Sequence, residues 1–148
     1  MSIAIVGVDA GQTITAGPMT LRILEDGTLT AHRLGLVEVT IPPGVSGPPQ
    51  HVHRKHDETF YVLAGLPSFT CGSDTITAEP GTLITAPPGT PHTFANPGEQ
   101  PARILCTVTP DLYIGYFREL GRLSAGPNAL DPRAVGEIMA RYATEVLS

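Results

Sequence analysis

The sequence predicts an all-β domain that ends in short helices. Three observations carry this. Short apolar runs recur at intervals of about 8–12 residues with a turn signal between each. The 16 glycines and 15 prolines are spread between those runs as turn punctuation. At Pro110 the alternating pattern gives way to helical spacing. The chain has 148 residues, 41% of them apolar and only 16% charged. That length suits one domain with a real core, here residues 1–148.

The elements follow in order. Residues 3–8, 12–16, 19–24 and 29–33 are β-like pieces, and Glu25-Asp26-Gly27 is a hairpin-turn signal between the last two. Residues 34–41 form a clearer strand, stopped by Pro42-Pro43-Gly44. The loop PPGVSGPPQ then leads to a histidine-rich stretch and a β-branched, aromatic strand at 59–63, closed by Ala64-Gly65. Strands at 67–71, 74–78 and 82–86 follow, with turns at Gly72-Ser73 and Pro80-Gly81. After PPGTPH come residues 93–95, the turn NPGEQP and an apolar strand at 102–109. Thr109-Pro110-Asp111 then starts a helix in which Leu112, Tyr113, Tyr116, Phe117 and Leu120 recur at helical spacing, with Gly121 or Gly126 to end it. Asp131-Pro132 starts another, with Val135, Ile138, Met139, Tyr142 and Val146 on one apolar stripe. That stripe is expected to pack on the outside of the β-structure or on a partner subunit.

Charge excludes some functions. The net charge is −5 and the basic residues are scattered, the densest pair being Arg54-Lys55. There is no basic stripe for nucleic acid. No run of about 18 apolar residues predicts a membrane helix. No Lys or Arg precedes the first apolar run, which argues against a secretory leader. Cys71 and Cys106 lack metal or redox spacing and read as free buried thiols in a reducing cytoplasm.

The stretch HVHRKHDETFYVLAG, from His51 to Gly65, holds three of the five histidines. In an extended strand, residues two apart share a face, so His51 and His53 project together. Paired imidazoles suit a dry core poorly, because each needs a polar partner. They suit a metal well. A turn over 54–57 would return Glu58 toward the same point, and His92, after APPGTP, is a fourth candidate. His32 and His56 are expected at the surface, and Asp57 beside the latter in the turn. Parity then places Phe60 and Val62 inward with Glu58, and Phe94 inward with His92. Together they would line an apolar pocket suited to a hydrophobic or aromatic small molecule.

These residues carry a resemblance. His51-Val52-His53, four residues, Glu58, six residues and Gly65 match the first motif of the cupin superfamily, H-x-H-x(3,4)-E-x(6)-G. Gly81-TLITA-Pro87-Pro88-Gly89-TP-His92-TFA-Asn96 matches every position of the second, G-x(5)-P-x-G-x(2)-H-x(3)-N. The first motif departs at its opening, where the family's Gly sits five residues before the first His and this chain has Gly44 and Gly47. The chain resembles small single-domain bacterial cupins, and in particular those related to quercetinase, a flavonol-cleaving dioxygenase. The resemblance implies a small jelly-roll β-barrel over about residues 20–109; the helices over about 110–147 lie outside the resemblance. It implies one divalent transition metal per chain (Fe, Mn, Ni, Co, Cu or Zn) on His51, His53, Glu58 and His92. It also implies turn roles for Gly65, Gly81, Gly89 and Asn96, and a homodimer.

Three functions remain open at this point. One is a dioxygenase that binds an organic substrate and O2, with Glu58 both ligand and catalytic base. Another is a non-redox isomerase, cyclase or lyase on the same ligands. The third is a small-molecule-binding barrel without catalysis.

Overall fold

A computed structural model describes residues 2–126 and 130–148. Its strands are β1 (Gln12–Ala16), β2 (Met19–Glu25), β3 (Gly35–Ile41), β4 (His51–His53), β5 (Asp57–Ala64), β6 (Ser68–Cys71), β7 (Asp74–Thr77), β8 (Leu83–Ala86), β9 (Thr93–Ala95) and β10 (Ala102–Thr109). A 3-10 turn (Asp111–Tyr113) then leads into α1 (Ile114–Ser124), followed by α2 (Pro132–Arg141) and β11 (Thr144–Val146). The chain is mostly β-sheet with two short helices near its C-terminal end.

Six strands form one antiparallel sheet in the order β1-β2-β3-β10-β5-β8, and β7-β6-β9 form a second. Alternation explains the core. On β3, Val37, Val39 and Ile41 are buried, and on β10 so are Ala102, Ile104, Cys106 and Val108, with their neighbours less so. β5 follows the same rule with Glu58, Phe60 and Val62. A period of two with one inner face is what a sheet packed on one side requires. The turn after β5 needs its glycine. Gly65 has φ +76°, and a Cβ there would stand 2.6 Å from the Pro101 carbonyl oxygen. Asn96 closes the second motif from inside. Its Nδ2 donates to the Ile41 and Gln100 carbonyls, and its Oδ1 accepts from Gly98 N–H.

Several expectations need correction. Residues 3–8 are not a strand: among the described residues they have no ladder partner, and Ile3, Ile5 and Val8 are exposed. An apolar run becomes a strand only where a ladder partner exists. Residues 29–33 are turn rather than strand, because β2 pairs directly with β3 across a longer loop. Gly121 lies within α1 rather than ending it. α2 stops at Arg141, so Val146 belongs not to its stripe but to β11, an unforeseen strand that pairs with β4. Cys71 is exposed and only Cys106 is buried. Among the described residues, no helix is long and apolar enough to cross a membrane.

Candidate metal centre and pocket

Two of the four predicted ligands sit on β4, a strand of only three residues, all buried. β5 returns Glu58, and the loop between β8 and β9 brings His92. That loop is pinned to β4 by backbone bonds: Gly89 N–H donates to the His53 carbonyl at 2.7 Å, and His51 and His92 exchange N–H···O bonds of 3.2 and 3.0 Å. Gly89 holds φ +81° to do so, a conformation that favours glycine.

The side chains converge. One ligand atom from each of His51, His53, Glu58 and His92 lies within 4.8 Å of all the others, and all four residues are buried. Glu58 Oε2 is 2.6 Å from His53 Nε2 and 2.9 Å from His92 Nε2. Its Oε1 accepts from the Cys106 thiol at 3.1 Å.

Hydrogen bonds on the far side of each ring fix the tautomers. His51 Nδ1 is 2.9 Å from the Pro49 carbonyl and His92 Nδ1 is 2.9 Å from the Thr90 carbonyl. A carbonyl only accepts, so both Nδ1 atoms carry the proton. His53 Nδ1 is 2.8 Å from Thr144 Oγ1, whose own hydroxyl donates to the Tyr142 carbonyl. The Thr144 oxygen therefore accepts, and His53 is protonated on Nδ1 as well. Three bare Nε2 lone pairs thus face one carboxylate. Such a set is held together by positive charge, either added protons or a cation. Burial opposes the protons at His51, where it pushes the pKa down to about 4. Burial alone would raise the Glu58 pKa, but its bonds to His53 and His92 outweigh this and hold it well below the usual carboxylate range. His92 shows the complement: burial lowers its pKa, and the Glu58 carboxylate more than restores it. Three imidazoles with one ionised carboxylate fit a divalent transition metal.

The cluster opens onto a cavity of about 300 Å3. His51 and Glu58 face it from the inner end. Leu21, Val39, Phe60, Phe94 and Cys106 line it from the barrel. Val62, expected in that wall, is fully buried in the core and is not among the lining residues. No Lys or Arg is among the described residues that line it.

The far wall comes from the helical segment, and the stripe expected to pack on the outside of the β-structure or on a partner contributes Val135 to it. Tyr113, Tyr116, Phe117 and Leu120 line the cavity from the 3-10 turn and α1, and Val135 does so from α2. The helical spacing was readable, but an apolar stripe does not announce what it covers. His56 also departs from its expected surface position. It is 1% exposed, its ring 4.1 Å from that of His53 and 5.1 Å from that of Tyr113. Burial pushes its pKa down to about 4, so it is neutral. His32 does lie at the surface, 2.8 Å from Asp111, and Asp57 is exposed. Cys106 could have been found from the alternation of β10. Nothing in the sequence pointed to Thr144.

Comparison with known proteins agrees with this architecture. The cupin domain profile matches residues 37–108. An uncharacterized protein of Methanocaldococcus jannaschii is 30% identical over 94 residues, which cover 64% of this chain and 74% of that one. A sugar phosphate isomerase of the cupin superfamily from Silicibacter pomeroyi superposes with a TM-score of 0.65 at 22% identity, over 72% of this chain and 75% of that one. A nucleoside dehydratase of Streptomyces superposes with a TM-score of 0.59 at 18% identity, over 74% and 83% of the two chains. Two matched motifs, a shared fold and the converging His51, His53, Glu58 and His92 lead to one conclusion: this chain belongs to the cupin family.

Proposed function

We propose that this protein is a metal-dependent enzyme, a dioxygenase of quercetinase-like type, acting on an uncharged aromatic or enolisable small molecule. The observation that carries this is the apolar cavity ending at His51 and Glu58. A pocket without a lysine or arginine is a poor host for a phosphorylated sugar, whose charge would be buried unpaired. Aromatic rings on both walls suit a flat apolar ligand. His51, His53, Glu58 and His92 would hold the metal, which when bound supplies Lewis-acid polarisation and, if redox-active, reactivity toward O2.

The remaining roles belong to the chain's own groups. Glu58 is ionised and so accepts a proton. The Cys106 thiol holds Oε1 in place, and burial keeps that thiol protonated, with its pKa well above the usual range. Tyr113 is 2% exposed and lines the cavity, and its hydroxyl has no hydrogen-bond partner among the described residues, which leaves it free to donate to a substrate oxygen.

A second reading is a non-redox isomerase or lyase. The fold neighbours include an isomerase and a dehydratase, which favours it. Metal content, measured by mass spectrometry on untagged protein with a His51→Ala/His92→Ala control, begins the test. The first reading expects a redox-capable metal at about one per chain, lost in the control, with oxygen uptake on a flavonol. Zinc with oxygen-independent turnover would shift the assignment to the second. No metal after reconstitution would overturn both and leave a ligand-binding barrel.

A further inference from the structure

The strand that carries His51 and His53 has an edge filled from the far end of the sequence. β11 pairs with β4 in antiparallel register, Thr144 opposite His53 and Val146 opposite His51. Two more backbone bonds bracket the pair: Arg54 N–H donates to the Ala143 carbonyl and Leu147 N–H to the Gln50 carbonyl, each at 2.8 Å. Thr144 is 1% exposed, as is His53. The Thr144 hydroxyl adds a side-chain contact between this late strand and the ligand set, at 2.8 Å from His53 Nδ1.

The other two ligand imidazoles are oriented differently. His51 and His92 each bond a carbonyl two residues before them, at Pro49 and Thr90. Those acceptors are local and cannot be removed by a side-chain change. His53 instead depends on a side chain 91 positions away. Its ring has a second choice, because Glu58 Oε2 lies 2.6 Å from Nε2. A proton placed on Nε2 would bond that carboxylate and block both from a metal. A proton held on Nδ1 leaves Nε2 free to ligate. Thr144, its own proton directed to the Tyr142 carbonyl, favours the second arrangement.

We propose that Thr144 is a positioning residue for the metal centre: it holds the His53 proton on Nδ1, and through it β11 sets the affinity of the site. The proposal rests on the reading of the cluster as a metal site. Its range is specific. The ion pair between Arg54, just after β4, and Glu145 on β11 is solvent-exposed, 51% and 61% by side chain, and is not part of it.

The test is zinc and cobalt affinity by competition with a chromophoric chelator, for wild type, Thr144→Val, Thr144→Ser and Glu145→Ala. Valine keeps the shape and removes the acceptor, while serine restores it. Thr144→Val is expected to weaken binding about 10-fold or more, with Thr144→Ser and Glu145→Ala near wild type. In the zinc-loaded protein, the His53 Nδ1–H resonance should be protected in wild type and Thr144→Ser and exchange rapidly in Thr144→Val. Unchanged affinity and a protected proton in Thr144→Val would overturn the proposal and leave the metal site standing. Equal losses in the valine and serine variants would reduce Thr144 to packing. A wild-type protein that binds neither ion would remove the metal reading and this proposal together.

Discussion

At the scale of single residues, the centre shows how one polar atom decides another's role. Three imidazoles present bare Nε2 atoms because three acceptors claim their Nδ1 protons. Tyr113 poses the opposite case, a buried hydroxyl that no described residue claims. An unpartnered buried hydroxyl costs stability, so Tyr113→Phe should leave the melting temperature unchanged or raise it. The same change should weaken binding of a flavonol by about 2- to 10-fold, the worth of one hydrogen bond. Thermal melts and titration calorimetry would check the two halves. A large drop in melting temperature would mean that the hydroxyl has a structural partner. The four ligand candidates were legible in the sequence because motif spacing constrains them. His56 was not, because a turn position looks solvent-facing until α1 and its preceding 3-10 turn close over it.

At the scale of elements, the strands were mostly legible and their partners were not. Alternation and turn residues located β3, β5 and β10 to within a residue or two. The apolar run at 3–8 has the composition of a strand but finds no ladder. β11 has a ladder but only three residues of its own, too few to carry a periodic signal. The helices were legible as helices, but the cavity under α1 was not. α1 is tethered by Arg118, whose Nη2 donates to Asp26 at 2.8 Å and whose Nε donates to Gln12 at 2.9 Å. The Arg118 bond, with help from Thr28, holds the Asp26 carboxyl well below the usual range. A depressed carboxyl pKa stabilises the fold fully above its unfolded value of 3.8, and the contribution fades as pH falls through the folded value. Asp26 and Arg118 are partly exposed, 23% and 34% by side chain, so the pair is worth under about 1 kcal/mol. Asp26→Asn should therefore be slightly less stable than wild type in urea at pH 7. The difference should shrink steadily below pH 4, and a gap that widens in acid would contradict the assignment.

At the scale of the whole molecule, the unpaired segment near the N-terminus is the most conspicuous apolar surface. Ile3, Ile5 and Val8 are 84%, 80% and 88% exposed. Isolated apolar residues at a surface are ordinary, but four in one short run, Val6 included, invite a partner. A homodimer is the expected state, with twice the chain mass of 15.6 kDa in sedimentation equilibrium. Ile3→Asp/Ile5→Asp should shift it toward monomer, and a wild-type protein that sediments as 15.6 kDa would refute the assignment.

The pairing of β4 with β11 has a consequence in time as well as in space. His53 and Thr144 meet across 91 positions of chain, further apart than any strand partners in the β3-β10 or β10-β5 ladders. Contacts so distant in sequence close late, because the entropy of a long loop must be overcome before they form. The barrel strands β3, β10 and β5 can therefore assemble around a half-finished ligand set. Competence to capture an ion at full strength would lag behind collapse in a refolding experiment, and its rate would report the docking of the last strand.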